Sequence, residues 1–182
     1  MWVYQGQTQY WGNVLAALSG LSSPDTALDP TEMTVASYDN IPGRKWRPLI
    51  DTTNDPIISS RRPQNWTSMQ RSEDYYNEGL LIWLDADTLI REKTNGKKSL
   101  DDFAKAFFGI KNGDWGETTY NFDAVVKTLN GVYAYDWDAF LKARVYDFGA
   151  DGKGTAPLDG IKRGGYKLVY EEKPTDYFKS LE

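Results

Sequence analysis

A mainly α-helical, bundle-like domain with a short extended tail is the fold class this sequence predicts. Three observations predict it. Apolar residues recur at helical spacing in several separate runs. Capping residues and glycine stops bound those runs. Strand-like alternation occurs in Tyr166-Lys167-Leu168-Val169-Tyr170, near the end. The 182 residues suit one domain with a short appendage and can bury a sizeable core.

The elements follow in order. Val3, Tyr10, Val14, Leu15 and Leu18 predict a helix over about 3–18, closed by Ser19-Gly20. Ser23-Pro24-Asp25 is a helix start with proline at the first helical position. Asp29-Pro30 predicts a break, with Asp29 capping a second helix to about Tyr38. The stretch from about 39 to 71 holds Pro42, Gly43, Pro48, Pro56 and Pro63 without lasting periodicity, and reads as a long irregular loop. Trp46, Leu49, Ile50, Ile57, Ile58 and Trp66 would anchor it. Arg44, Lys45, Arg47, Arg61, Arg62 and Arg71 make it basic.

Ser72-Glu73-Asp74 predicts the start of the strongest helix, over about 73–92, with acids at its positive end. Leu80 to Leu84 are apolar nearly all round, as in a buried central helix. Asn95-Gly96 ends it. Ser99-Leu100-Asp101-Asp102 resembles a capping box with Asp in the Glu position; Leu100, Phe103, Phe107 and Phe108 form the expected inner face. A short helix follows over Phe122 to Leu129. Asp136 caps another, with Trp137, Phe140, Leu141 and Val145 inward. Glycines from Gly149 to Gly165 predict a linker, so residues 1–148 form the helical domain and 149–182 the linker and short strand.

Composition narrows the function. A net charge of −5 argues against binding driven by nucleic-acid phosphates. No apolar run reaches the length of a membrane-spanning helix. The absence of cysteine excludes disulfides and thiol nucleophiles, and the absence of histidine excludes imidazole catalysis within this chain. Together the two absences remove the usual zinc ligand sets. Met1 to Gly6 lacks the pattern of a signal peptide and reads like the interior of a longer sequence.

Carboxylates, Tyr, Lys and Arg remain as reactive groups. Asp85 and Asp87 lie two apart on the apolar helix, so they do not face one substrate. A polar stripe or pairing with arginine is their expected role. Tyr75-Tyr76 sits at a helix start, where a phenol donates to an oxyanion or packs as an aromatic. The basic loop offers either a solvated surface or a binding site for an anion or a substrate carboxylate.

Three residue strings resemble the glycyl aminopeptidase family of zinc peptidases. They are Trp2-Val3-Tyr4-Gln5-Gly6-Gln7-Thr8-Gln9-Tyr10 with Ser19-Gly20-Leu21, Ser37-Tyr38-Asp39-Asn40, and the run from Asp74 through Asp85 to Ser99-Leu100-Asp101-Asp102-Phe103. The resemblance covers about residues 2–148. It implies the C-terminal helical half of a thermolysin-like catalytic domain, with a tail resembling the segment that leads to a PDZ-like module. It implies zinc in the intact family and peptide hydrolysis by a metal-activated water. The family's His-Glu-x-x-His helix is absent here. Its third zinc ligand, a Glu, aligns with Gln5, and a neutral amide is a poor substitute.

The resemblance further implies that Tyr76, or next to it Tyr75, steadies the oxyanion. It implies that the loop of about 41–71, with Arg44, Trp46 and Arg47, lines the substrate cleft. The expected partners are a peptide substrate and the metal-binding part of the family's domain. The isolated chain is expected to be inactive, to bind little or no zinc, and to self-associate through apolar surface. A bacterial cytoplasm or periplasm is what the resemblance suggests for compartment. The alternative is a non-catalytic helical module that binds a peptide or protein, with a groove expected at Tyr75, Tyr76 and Trp46.

Overall fold

The computed structural model describes residues 1–55, 65–66, 69–149, 156–173 and 179, the Asp25 side chain excepted. The anchors Ile57 and Ile58, the basic residues Arg61 and Arg62, and the glycines Gly152 and Gly154 lie outside those residues. Among the described residues there are eight α-helices, one 3-10 turn and no strand. The chain is mainly helical, as the periodicity predicts.

Helix α1 spans Trp2–Leu18. Its first half is buried through Trp2, Val3, Gly6, Gln7 and Tyr10, whereas Leu15 and Leu18 are exposed. Helix α2 spans Pro24–Asn40, and the Ser23 hydroxyl accepts from the Thr26 amide at 3.1 Å. The break expected at Pro30 does not occur: α2 runs through it. One proline deletes one rung of the helix ladder, and buried Val35 beyond it keeps the helix docked.

The loop expected from about 39 contains a 3-10 turn at Pro42–Lys45 and a short helix, α3, at Leu49–Thr52. Pro42 opens the first and Pro48 precedes the second, positions where a missing N–H costs nothing. Helix α4 spans Asn77–Thr94, starting later than expected. Glu73 has φ of 52°, a left-handed conformation that cannot continue a helix. Asn95 closes α4 at φ 51°, with the Gly96 amide donating to the Arg91 carbonyl at 2.8 Å.

Helix α4 is the centre of the molecule. Leu81, Ile82, Trp83, Ala86 and Ile90 are fully buried. Trp2 stacks on Trp83 with centroids 5.7 Å apart, and the Phe103 ring lies 5.3 Å from Trp83. Phe103 belongs to α5, Leu100–Phe107, whose Ser99–Asp102 capping box is present as expected. Phe108 caps the end of α5 and is half exposed instead of facing inward. Helix α6 spans Phe122–Val132, and α7, Trp137–Val145, is capped by Asp136 and buries Trp137, Leu141 and Val145.

The glycine-rich stretch contains a further helix, α8, at Asp159–Arg163. It lies flat on α4: a Cβ at Gly160 would sit 2.8 Å from the Asp85 amide nitrogen. The strand expected at 166–170 is not formed. A strand needs a neighbour to pair with, and the Tyr170 hydroxyl instead donates to Asp39 at 2.7 Å and accepts from Asn40 Nδ2 at 2.8 Å.

Helices α1 and α4 cross where Gly6 meets Gly79. A Cβ on Gly6 would lie 2.7 Å from the Gly79 carbonyl carbon, and one on Gly79 would lie 2.8 Å from Gly6 Cα. Both obstacles are backbone, so neither can rotate away. Gly6→Ala and Gly79→Ala should each destabilise the chain by roughly 1–3 kcal/mol or more, as overpacking does. Gly12→Ala, in the same helix α1 with open space around it, should be neutral or stabilising by up to about 1 kcal/mol. Urea denaturation followed by circular dichroism measures all three.

Candidate functional site

Several residues singled out in the sequence, Arg44, Arg71 and Tyr76 among them, lie around the start of α4. Glu78, in the first turn of α4, is completely buried. Two guanidiniums grip it, Arg44 from the 3-10 turn and Arg71 from the segment before α4. A carboxylate removed from water this completely is tolerated only with such partners.

The network extends outward from there. Arg71 Nε pairs with Asp74 at 2.8 Å, and Asp74 accepts from the Tyr38 hydroxyl at 3.0 Å. Arg71 also donates to the Arg47 carbonyl, and Arg47 to the Arg71 carbonyl, both at 2.8 Å. Arg47 grips Asp55 through two bonds of 2.8 and 2.7 Å. Arg44 reaches the Arg144 carbonyl at 2.8 Å. Burial, with Arg71 and Arg144 nearby, pushes the Arg44 pKa down to about 9. It therefore stays protonated at neutral pH. Burial and the Asp74 carboxylate push the Tyr38 phenol well up.

A second buried carboxylate lies two turns along α4. Asp85 accepts from Arg144 Nε at 2.6 Å and pairs with Arg163 of α8. Asp87 faces elsewhere: it accepts from the Tyr10 hydroxyl at 2.8 Å, Arg91 at 2.7 Å and the Leu100 amide at 2.6 Å. Both acids thus pair with structural donors, the role expected of them over catalysis.

Each predicted site residue has a definite place. Tyr75 is buried, and Tyr76 is half buried against it with ring centroids 4.9 Å apart. Tyr76 is the last residue before α4 and stands three positions from Gly79. Gln5 is half buried in α1, next to Gly6. The helix crossing at Gly6 and Gly79 therefore brings together the segments that carry Gln5 and Tyr76. Trp46 is exposed and donates from Nε1 to the Met69 carbonyl at 2.9 Å. Arg47 is half buried in its pair with Asp55, and Arg44 is buried on Glu78. Sequence reasoning missed Glu78. Its signal was an acid set beside Gly79 at the head of an all-round apolar helix.

The donor chemistry for zinc is thin. The chain has no imidazole and no thiolate, and Gln5, expected from the resemblance to stand at a ligand position, carries a neutral amide. Among the described residues no three acidic groups converge as a metal-binding set. Zinc in proteins takes three or four protein ligands. The residues present do not fit a zinc ion held by this chain alone.

Fold and site together define a helical domain whose buried acids, Glu78, Asp85 and Asp87, pair with arginines around a central helix. Residues 1–82, from α1 into the first turns of α4, match the family model of the M61 glycyl aminopeptidases. No curated protein matches the chain.

Glu78→Gln should cost about 3–5 kcal/mol, because it leaves two buried guanidiniums without their carboxylate. Glu92→Gln, at an exposed acid of the same helix, should stay within about 0.5 kcal/mol. Chemical denaturation of both variants provides the comparison.

Proposed function

We propose that this chain supplies the helical wall of a zinc aminopeptidase cleft and is catalytically silent by itself. The observation that carries the reading is the family match over α1 and the head of α4, joined to the amide at position 5. In this reading the Tyr76 hydroxyl donates to the oxyanion that forms on the scissile carbonyl. Tyr75, packed beneath it, holds the ring in place. Trp46 offers an exposed aromatic face to a peptide, and Arg47 lies at the edge of the same loop. Arg44, locked on Glu78, acts by fixing the loop in position. When bound, zinc would supply the activation of water and carbonyl. Its histidine ligands would come from residues outside this chain.

The test is metal content and hydrolysis. The pure chain, incubated with zinc and dialysed, should retain far less than one ion per molecule and release no glycine or alanine from N-terminal peptide substrates. Gln5→Glu should change neither result, since one carboxylate does not make a zinc site. Stoichiometric zinc together with turnover would overturn the reading.

An apolar groove favours a second reading, that of a non-catalytic binding module. The groove has a volume of about 300 Å³ and lies between α1, α2, α4 and α8, lined by Val14, Ala17, Leu18, Leu28, Leu84 and Ile161 among others. Its position differs from the groove expected at Tyr75, Tyr76 and Trp46. Volume and lining suit a small apolar group. Under this reading short apolar peptides bind saturably in calorimetry and Leu18→Asp abolishes the heat. Absence of saturable binding removes it.

A further inference from the structure

The sequence holds three Asn-Gly pairs, Asn95-Gly96, Asn112-Gly113 and Asn130-Gly131. In such a pair the glycine backbone nitrogen can attack the asparagine side-chain carbonyl, because no Cβ obstructs it. The local sequence is the same in all three, but the folded surroundings are not.

Two pairs are locked. The Gly96 amide donates to the Arg91 carbonyl at 2.8 Å in the cap of α4. Asn130-Gly131 lies inside α6. There the Asn130 side chain donates to the Val126 carbonyl at 3.1 Å and accepts from the Tyr135 amide at 3.2 Å. Attack at either pair first requires local opening of a helix.

Asn112-Gly113 is different. It occupies the two central positions of an exposed turn closed by the Asp114 amide on the Lys111 carbonyl at 2.9 Å. Gly113 has φ of 85°, as the third position of such a turn favours. Among the described residues neither the Asn112 side chain nor the Gly113 amide has a hydrogen-bond partner. The turn is steadied around them: Lys111 pairs with Asp114 at 3.9 Å, and Asp114 accepts from the Gly116 amide at 2.9 Å.

We infer that Asn112 is the site of spontaneous deamidation in the folded chain. The Gly113 nitrogen gives up its proton to solvent base and bonds to Cγ of Asn112. The Cγ–Nδ2 bond then breaks and ammonia leaves, carrying a proton from water. A second water opens the succinimide at either carbonyl, producing aspartate or isoaspartate. No atom is oxidised or reduced. The product adds a negative charge beside Asp114 and next to Trp115, whose side chain is wholly exposed. The α5–α6 loop thus changes charge at its most exposed aromatic.

The whole chain is incubated at mildly alkaline pH, folded or in urea, and digested peptides are followed by mass spectrometry. In the folded chain Asn112 should deamidate roughly tenfold or more faster than Asn95 and Asn130, whose reaction waits on helix opening. In urea the three rates should converge. Asn112→Gln should abolish the main acidic shift on isoelectric focusing. Equal rates in the folded chain, or an acidic shift that survives Asn112→Gln, would overturn the assignment.

Discussion

The buried Glu78 carboxylate is the constraint on which the rest of the structure depends. It takes one guanidinium from the 3-10 turn and one from the segment entering α4. Those segments flank the proline-rich stretch, so one acid ties down both of its ends. The same acid stands next to Gly79, where α1 touches the backbone of α4. Charge pairing and the helix crossing therefore support each other within one turn. The crossing keeps water from the carboxylate, and the two guanidiniums offset the cost of burying it.

Asp85 repeats the device further along α4. It holds Arg144 of α7 and Arg163 of α8. The Arg44 guanidinium, donating to the Arg144 carbonyl, joins the two clusters. Loop, α4, α7 and α8 thus share one set of buried charges. This explains why a basic segment in an acidic protein is not simply a solvated surface. The peptidase family match ends inside α4, so the first cluster lies within it and the second beyond it.

Much of the fold was legible in the residues. The capping box at Ser99–Asp102, the Asp136 cap and the apolar girth of α4 are local features, and local physics decides them. The late start of α4 was not legible, because it turns on the left-handed backbone of Glu73. The unbroken α2 was not legible because packing of Val35 outweighs one missing rung at Pro30. At the site, Tyr76 and Gln5 were visible as residues of interest. Glu78 was not, since nothing in a linear string marks which arginines will meet an acid.

The sequence by itself determined the helical class, the position of the buried central helix, the resemblance to the glycyl aminopeptidases and the absence of imidazole and thiolate donors. Each depends on residue type or on spacing within a few turns. Tertiary structure alone decided which charges pair, that Gly6 and Gly79 touch, and that Gly160 lets α8 lie flat on α4. Those outcomes join residues up to about eighty positions apart. Burial then turns weak long-range preferences into strict requirements, because an unpaired charge or an extra methyl has nowhere to go.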